Sequence, residues 1–181
     1  MIKIIVKEEM YIYDMYHILR AFYPGSEIDQ TIDSGVPNLI ELRIDEQQKE
    51  CLLINQNEVE EYAERKQKKR YVNLKVYDWL SEQTGKELAW GVLTGIRPTK
   101  IMMNLLEEGK SEQDVINYMK ENYRTTDKKA NLGMEIAKRE KALLAQLDYK
   151  DGYSLYVGIP FCPTTCSYCS FTSQPIHKWK N

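Results

Sequence analysis

No apolar run in the 181-residue sequence approaches the roughly 20 residues that a membrane-spanning helix needs, so a spanning protein is not expected. Met1 to Val6 holds a short apolar stretch, but no longer hydrophobic segment and no small-residue cleavage site follow it, so a secretory leader is not expected either. The expected compartment is the cytoplasm. A large net charge is also missing: the formal value is -2, which argues against general affinity for nucleic acid or an anionic membrane, and neither is expected as a partner. Cysteine is scarce and unevenly spread. Three of the four lie within eight residues near the carboxyl end and Cys51 stands far away, which excludes a disulfide framework and suits a reducing compartment. There is no repeat at a period of about 20 to 50 residues and no low-complexity tract.

What remains, 43% hydrophobic and 29% charged, is long enough to bury a core as one ordinary domain or a small domain with an appendage. Ile2 to Val6 is rich in β-branched residues and predicts a strand. From Met10 to Tyr23, Tyr11, Met15, Ile18, Leu19 and Phe22 recur at helical spacing, and Pro24-Gly25 stops the segment. The apolar runs Leu39 to Ile44 and Cys51 to Ile54 flank the polar stretch Asp45 to Glu50, as in an antiparallel hairpin. The opening residues 1-56 therefore read as βαββ.

Residues 57-150 read as mainly helical. Val59 to Thr84 predicts one long or broken helix carrying Tyr71, Leu74, Trp79 and Leu80, with Gly85 as its stop. In Trp90 to Lys100, Pro98 suits a first helical turn, and Ile101, Leu105 and Leu106 supply an apolar stripe before Gly109. Ser111 and Asp114 make a capping-box-like start to a helix through Val115, Ile116, Tyr118 and Met119. A last helix, Asp127 to Leu147, has a small-residue face of Ala130, Gly133 and Ala137. Asp148 to Gly152 is a turn-rich joint, and Ser154 to Ile159 predicts a strand leading into the cysteines. The expected fold class is α+β, with an α+β leader domain over 1-150 and a second region over 151-181.

Cys162, Cys166 and Cys169 have the spacing C-x3-C-x2-C with no fourth cysteine nearby. A cubane iron-sulfur cluster takes four thiolates, so three from one loop leave an iron with an open position, the arrangement of a reactive site more than of a structural one. Cys162 and Cys166 can stand at most about 14 Å apart, and a curled loop brings them closer. Pro163 stiffens the loop, while Thr164, Thr165 and Ser167 offer hydroxyl donors to sulfur.

The stretch Leu155-Tyr-Val-Gly-Ile-Pro-Phe-Cys-Pro-Thr-Thr-Cys-Ser-Tyr-Cys-Ser-Phe171 resembles the start of a radical S-adenosylmethionine (SAM) enzyme of the oxygen-independent coproporphyrinogen III oxidase type. Trp90 to Ile101 is similar to the leader region of the coproporphyrinogen dehydrogenase-like branch. The resemblance implies that Cys162, Cys166 and Cys169 bind a 4Fe-4S cluster whose remaining iron chelates S-adenosyl-L-methionine. One electron then cleaves the sulfonium to methionine and a 5'-deoxyadenosyl radical. By the same resemblance Tyr156 contacts the cofactor and Tyr168 packs near it, whereas Gly158 stands where the family often has histidine. The implied activity is oxidative decarboxylation of coproporphyrinogen III to protoporphyrinogen IX in haem biosynthesis, with a porphyrinogen substrate and an electron donor as partners. Haem-handling proteins and methyltransferases are relatives. The family works on a β/α barrel of which Ser154 to Asn181 supplies at most one strand and a loop, so an inactive amino-terminal portion is expected.

Simpler readings stand beside these. A zinc site of the three cysteines with His177 is chemically reasonable, as is an idle cysteine tail on a non-catalytic docking module. Cys51 reads as a small apolar strand residue and His17 as a surface or boundary residue. Gly85-Lys86 fails as a phosphate loop, since Leu80 replaces its first glycine and Glu87 its Ser or Thr. Arg65 to Arg70 follows Glu58, Glu60, Glu61 and Glu64, so pairing four residues apart on one solvated helix is the expectation. Arg97 and Lys100 beside the Thr94-Gly95 turn could meet carboxylates or phosphates, a structural role for the turn being the favoured reading.

Overall fold

Alternation along β1 (Ile2–Val6) sends Ile2, Ile4 and Val6 to one face, where all three are buried. A computed structural model describes residues 1–44, 50–95, 97–148 and 151–178 of the chain. The chain divides into two compact units, Met1–Leu143 and Leu144–Asn181.

In the first unit β1 leads through one turn of 3-10 helix into α1 (Ile12–Phe22), then β2 (Ile28–Ile32), β3 (Ile40–Ile44) and β4 (Glu50–Ile54). The sheet order is β2-β1-β3-β4: β2 lies parallel to β1, and β3 is antiparallel to both β1 and β4. The expected βαββ opening thus gains a strand, β2, which the sequence reading passed over. Only Ile28 and Ile32 are apolar at its ends. As an edge strand, β2 is specified by the hydrogen bonds β1 offers it more than by burial of its own side chains. The β3–β4 hairpin is as expected, Ile40 opposite Ile54 and Arg43 opposite Cys51, while its connection, 45–49, lies outside the described residues.

All five apolar positions expected to carry the first helix, Tyr11, Met15, Ile18, Leu19 and Phe22, are buried. They share one core with Ile4, Leu42 and Ile54 of the sheet and with Val72, Val76, Tyr77 and Leu80 of α3 (Arg65–Thr84). The long helical stretch is broken, as the reading allowed: α2 (Asn57–Glu60) is a single turn, and Glu64 with Gln67 forms a capping box at the start of α3. The inward face of α3 matches the expected one at Leu80 and differs elsewhere, since Tyr71, Leu74 and Trp79 are only half-buried and Val72, Val76 and Tyr77 are buried in their place. Gly85 ends α3 in the left-handed region, φ 65°.

The break also overturns the pairing expected for the basic run. Glu58 bonds Lys75 and accepts from the Tyr71 hydroxyl at 2.7 Å and the Asn55 N–H at 2.8 Å, and Glu64 is spent on the cap. No ion pair among the described residues joins these acids to Arg65–Arg70, because the acidic stretch and the basic one do not share a helix. Burial pushes the Glu58 carboxyl up, but the Lys75, Asn55 and Tyr71 hydrogen bonds outweigh it and hold its pKa at about 2.

α4 (Thr99–Glu107), α5 (Glu112–Tyr123) and α6 (Asp127–Leu144) follow. Pro98 precedes α4, whose buried residues are Met102, Met103 and Leu105, where a stripe of Ile101, Leu105 and Leu106 was expected. The unbranched Met102 fills the gap beneath α6: a Cβ on Gly133 would meet its Sδ at 2.7 Å, so the small face of Ala130, Gly133 and Ala137, all buried, is a packing face. Ser111 caps α5 by accepting the Asp114 N–H at 3.2 Å. Arg124 closes α5 at φ 57° and grips Asp78 of α3 with two hydrogen bonds, 2.8 and 2.7 Å.

In the second unit the described regular structure is slight. β5 (Phe161–Cys162) pairs in parallel with β6 (Gln174–Pro175), and one 3-10 turn spans Ile176–Lys178. The strand expected from Ser154 to Ile159 is not formed. Its β-branched residues favour extension, but a strand persists only against a partner, and β6 meets just two residues.

No helix among the described residues is long and apolar enough to cross a membrane.

Candidate functional site

The cysteine loop is closed at its base by the β5–β6 pairing, Phe161 opposite Gln174 and Cys162 opposite Pro175, with the Gln174 N–H donating to the Pro160 carbonyl at 2.7 Å. Within it the Cys169 N–H donates to the Cys166 carbonyl at 3.1 Å, which puts both residues on one turn. The Cys169 thiol donates to the Phe171 carbonyl at 3.7 Å. Cys162 is half-buried, Cys166 and Cys169 are exposed, and all three thiols are free.

Tyr156 and Tyr168, which the sequence resemblance leads us to expect at the cofactor, are 85% and 88% exposed. A Cβ at Gly158 would stand 3.2 Å from the Tyr156 ring, so a larger residue there would displace that ring by a few tenths of an ångström. His177 lies in the 3-10 turn after β6. Of the joint at Asp148 to Gly152, Tyr149 and Lys150 lie outside the described residues.

Among the described residues no group of three or more His, Cys, Asp or Glu side chains is gathered closely enough to hold a metal ion. The chemistry of the donor set still fits an iron-sulfur cluster. Three free thiols stand in eight residues, none tied in a disulfide, and the loop that carries them buries no large apolar side chain that closure would have to uproot. Metal binding can supply the free energy that draws such a loop shut.

The other sequence candidates lie in the first unit. The segment from Leu88 to Leu93 is a clasp: the Val92 N–H donates to the Tyr123 carbonyl at 2.9 Å and the Thr126 N–H to the Ala89 carbonyl at 3.2 Å. Gly91, φ 58°, allows it, since a Cβ there would fall 1.8 Å from the Tyr123 carbonyl oxygen. Arg97 and Lys100 are exposed beyond this clasp, and Ile96 lies outside the described residues. His17 is half-buried, with its ring against Tyr13 and Tyr16 at 4.4 and 5.4 Å between centroids. Cys51 is on β4 but on its exposed side, with Leu52 and Ile54 buried on the other. Sequence reasoning missed one feature, a groove where the Leu93–Gly95 turn meets the basic start of α3. The basic run Arg65 to Arg70 and the Thr94-Gly95 turn are each legible in the sequence, but nothing in it joins them.

The chain is 40% identical over 112 residues to the oxygen-independent coproporphyrinogen-III oxidase-like protein HemZ of Bacillus subtilis. The aligned part is 61% of this chain and 22% of that protein, so the chain spans about a fifth of the curated relative it matches. No family model matches the chain, and no solved structure does.

Proposed function

From this kinship with the oxygen-independent coproporphyrinogen-III oxidase-like family, we propose that the chain belongs to a radical SAM oxidoreductase and contributes its cluster-binding loop. Cys162, Cys166 and Cys169 hold a 4Fe-4S cluster, and Tyr156 and Tyr168 line the place of S-adenosyl-L-methionine. When bound, such a cluster supplies a single electron to the sulfonium of that nucleotide. The observation that carries the reading is the set of three free thiols on a loop closed at its base by backbone hydrogen bonds.

The part each residue plays follows from its position. The Cys166–Cys169 turn presents two thiolates from one bend, and Cys162, at the end of β5, anchors the third beside the strand pairing. With their wide exposure, Tyr156 and Tyr168 gain most from covering a nucleotide, since each then removes a ring face from water. The reaction proposed for the whole protein is oxygen-independent oxidative decarboxylation of coproporphyrinogen III to protoporphyrinogen IX, with an external electron donor, in the cytoplasm.

A second reading, Cys3His zinc, draws on one observation: Pro175 pairs with Cys162, and His177 follows two residues later. The two separate on iron, sulfide and zinc analysis after anaerobic loading. The cluster reading expects about four iron and four sulfide per chain, lost in Cys162→Ala, Cys166→Ala and Cys169→Ala and kept in His177→Ala. Stoichiometric zinc that falls in His177→Ala, with no iron retained, contradicts it.

A further inference from the structure

Five of the six residues from Arg65 to Arg70 are basic, and they open α3 beside the Leu93–Gly95 turn. Between them lies a groove of about 510 Å³ lined also by Asp14, Val92 and Tyr123, all within the first unit. That volume falls in the range of small-molecule sites.

The groove carries more positive charge than its own acid answers. Asp14 is taken up by Lys69 at 2.8 Å and by Asn73 at 3.3 Å. Glu58 is committed to Lys75 and Tyr71, and Glu64 to the helix cap. Among the described residues no carboxylate pairs with Arg65, Lys66 or Arg70. Arg65 and Lys66 are exposed.

Arg70 differs from the other two. It is half-buried, and its guanidinium is oriented by neutral acceptors, Asn122 Oδ1 at 2.8 Å and the Tyr118 hydroxyl at 3.3 Å. The rings of Tyr118 and Tyr123 flank it at 5.9 and 5.8 Å. A guanidinium held in place without a counter-charge has already met much of the ordering cost of gripping an oxyanion. Partly removed from water, it gains more from such a partner than an exposed lysine does. Val92, Leu93 and Tyr123 add apolar surface to the same groove.

We infer that this groove binds a small amphiphilic polyanion, an apolar body bearing two or more carboxylates or phosphates. An extended nucleic acid fits less well. The excess positive charge is local to one groove on a chain of net charge -2, whereas a strand needs a continuous basic track. The shared oxyanion chemistry has two sources, a tetrapyrrole polycarboxylate or a nucleoside phosphate. Only the first rests on the function proposed above.

The experiment titrates the 181-residue chain separately with coproporphyrin III, ATP and a single-stranded RNA oligonucleotide. The same titrations are run on Arg65→Glu/Lys66→Glu and on Lys110→Glu/Lys128→Glu, an equal charge change at exposed lysines outside the groove. Binding of coproporphyrin III or ATP is expected to weaken about tenfold or more in the first double variant and to change less than about twofold in the second, with melting unaltered in both. Arg70→Lys, which keeps the charge and loses the fork, is expected to weaken the same ligand. Whichever of the two ligands binds names the source of the oxyanion. Binding of neither, equal loss in both double variants, or binding of RNA alone overturns the proposal. Iron loading of the cysteine loop, measured on the same preparations, reports on the proposed function separately, because none of these substitutions touches a thiol.

Discussion

In residues 1–143 Phe22, Ile4 and Leu80 are wholly removed from water, whereas in residues 144–181 Tyr153, Tyr156, Tyr168 and Phe171 lie mostly in it. The first region has a layered core and long-range clasps such as Arg124 on Asp78. The second has a two-residue strand pairing and one thiol-bearing turn. The contrast separates two sources of order. Apolar burial, reinforced by polar clasps, accounts for the first region, while the second carries the three clustered cysteines and, among its described residues, buries no large apolar side chain. On the function proposed above, binding of the cluster would supply the second region's order, with metal binding and loop closure as one event.

The sharpest way to break this comparison is to remove one ring from each region. Phe22→Ala should cost about 3–5 kcal/mol in urea unfolding followed by circular dichroism, because it leaves a cavity among Leu19, Tyr77 and the sheet. Phe171→Ala, a change at an exposed ring, should stay within about 0.5 kcal/mol. Equal costs would mean that the second region has a core of its own.

A smaller effect tests the polar clasps of the first region. Glu58→Gln should lose about 1–2 kcal/mol at neutral pH, a figure reduced for the partial exposure of Glu58 and Lys75. The sign follows from a carboxyl held at about 2 in the fold against an ordinary 4.5. The stabilisation is complete above pH 4.5 and fades as pH falls from there toward 2, because the unfolded chain takes up its proton first. Urea midpoints at pH 7 and pH 3 should show the difference between wild type and variant shrinking. A difference constant with pH would remove Glu58 from the account.

The smallest effect has the opposite sign. Tyr11 is buried with no hydrogen-bond partner for its hydroxyl among the described residues, and burial followed by the nearby Glu8 charge pushes its pKa up to about 12. Tyr11→Phe removes an unsatisfied polar atom and should leave stability unchanged or raise it by up to about 1 kcal/mol in the same urea assay. A loss greater than that would mean the hydroxyl has a partner.

The same division governs what was legible in the sequence. The first helix was readable because Tyr11, Met15, Ile18, Leu19 and Phe22 all point to one side, and a core is what that pattern specifies. β2 was not, since Asp29, Gln30 and Thr31 carry no burial signal and the strand exists by pairing with β1. Ser154 to Ile159 failed in the reverse direction: strong β-forming residues with no neighbour to pair remain irregular. Pairing along the chain is a poor guide to the basic run and its acidic neighbours, because Lys69 finds Asp14 and Lys75 finds Glu58 across the fold. For the cysteines, spacing marks Cys162, Cys166 and Cys169 as a set, but it does not specify how close the three thiols stand.

Mössbauer spectroscopy of the anaerobically loaded chain, with and without S-adenosyl-L-methionine, tests the central claim most directly. The account predicts one iron site distinct from the rest, and a change confined to that site when the nucleotide is added. Iron sites that are indifferent to the nucleotide, or a chain that retains no iron at all, would contradict it.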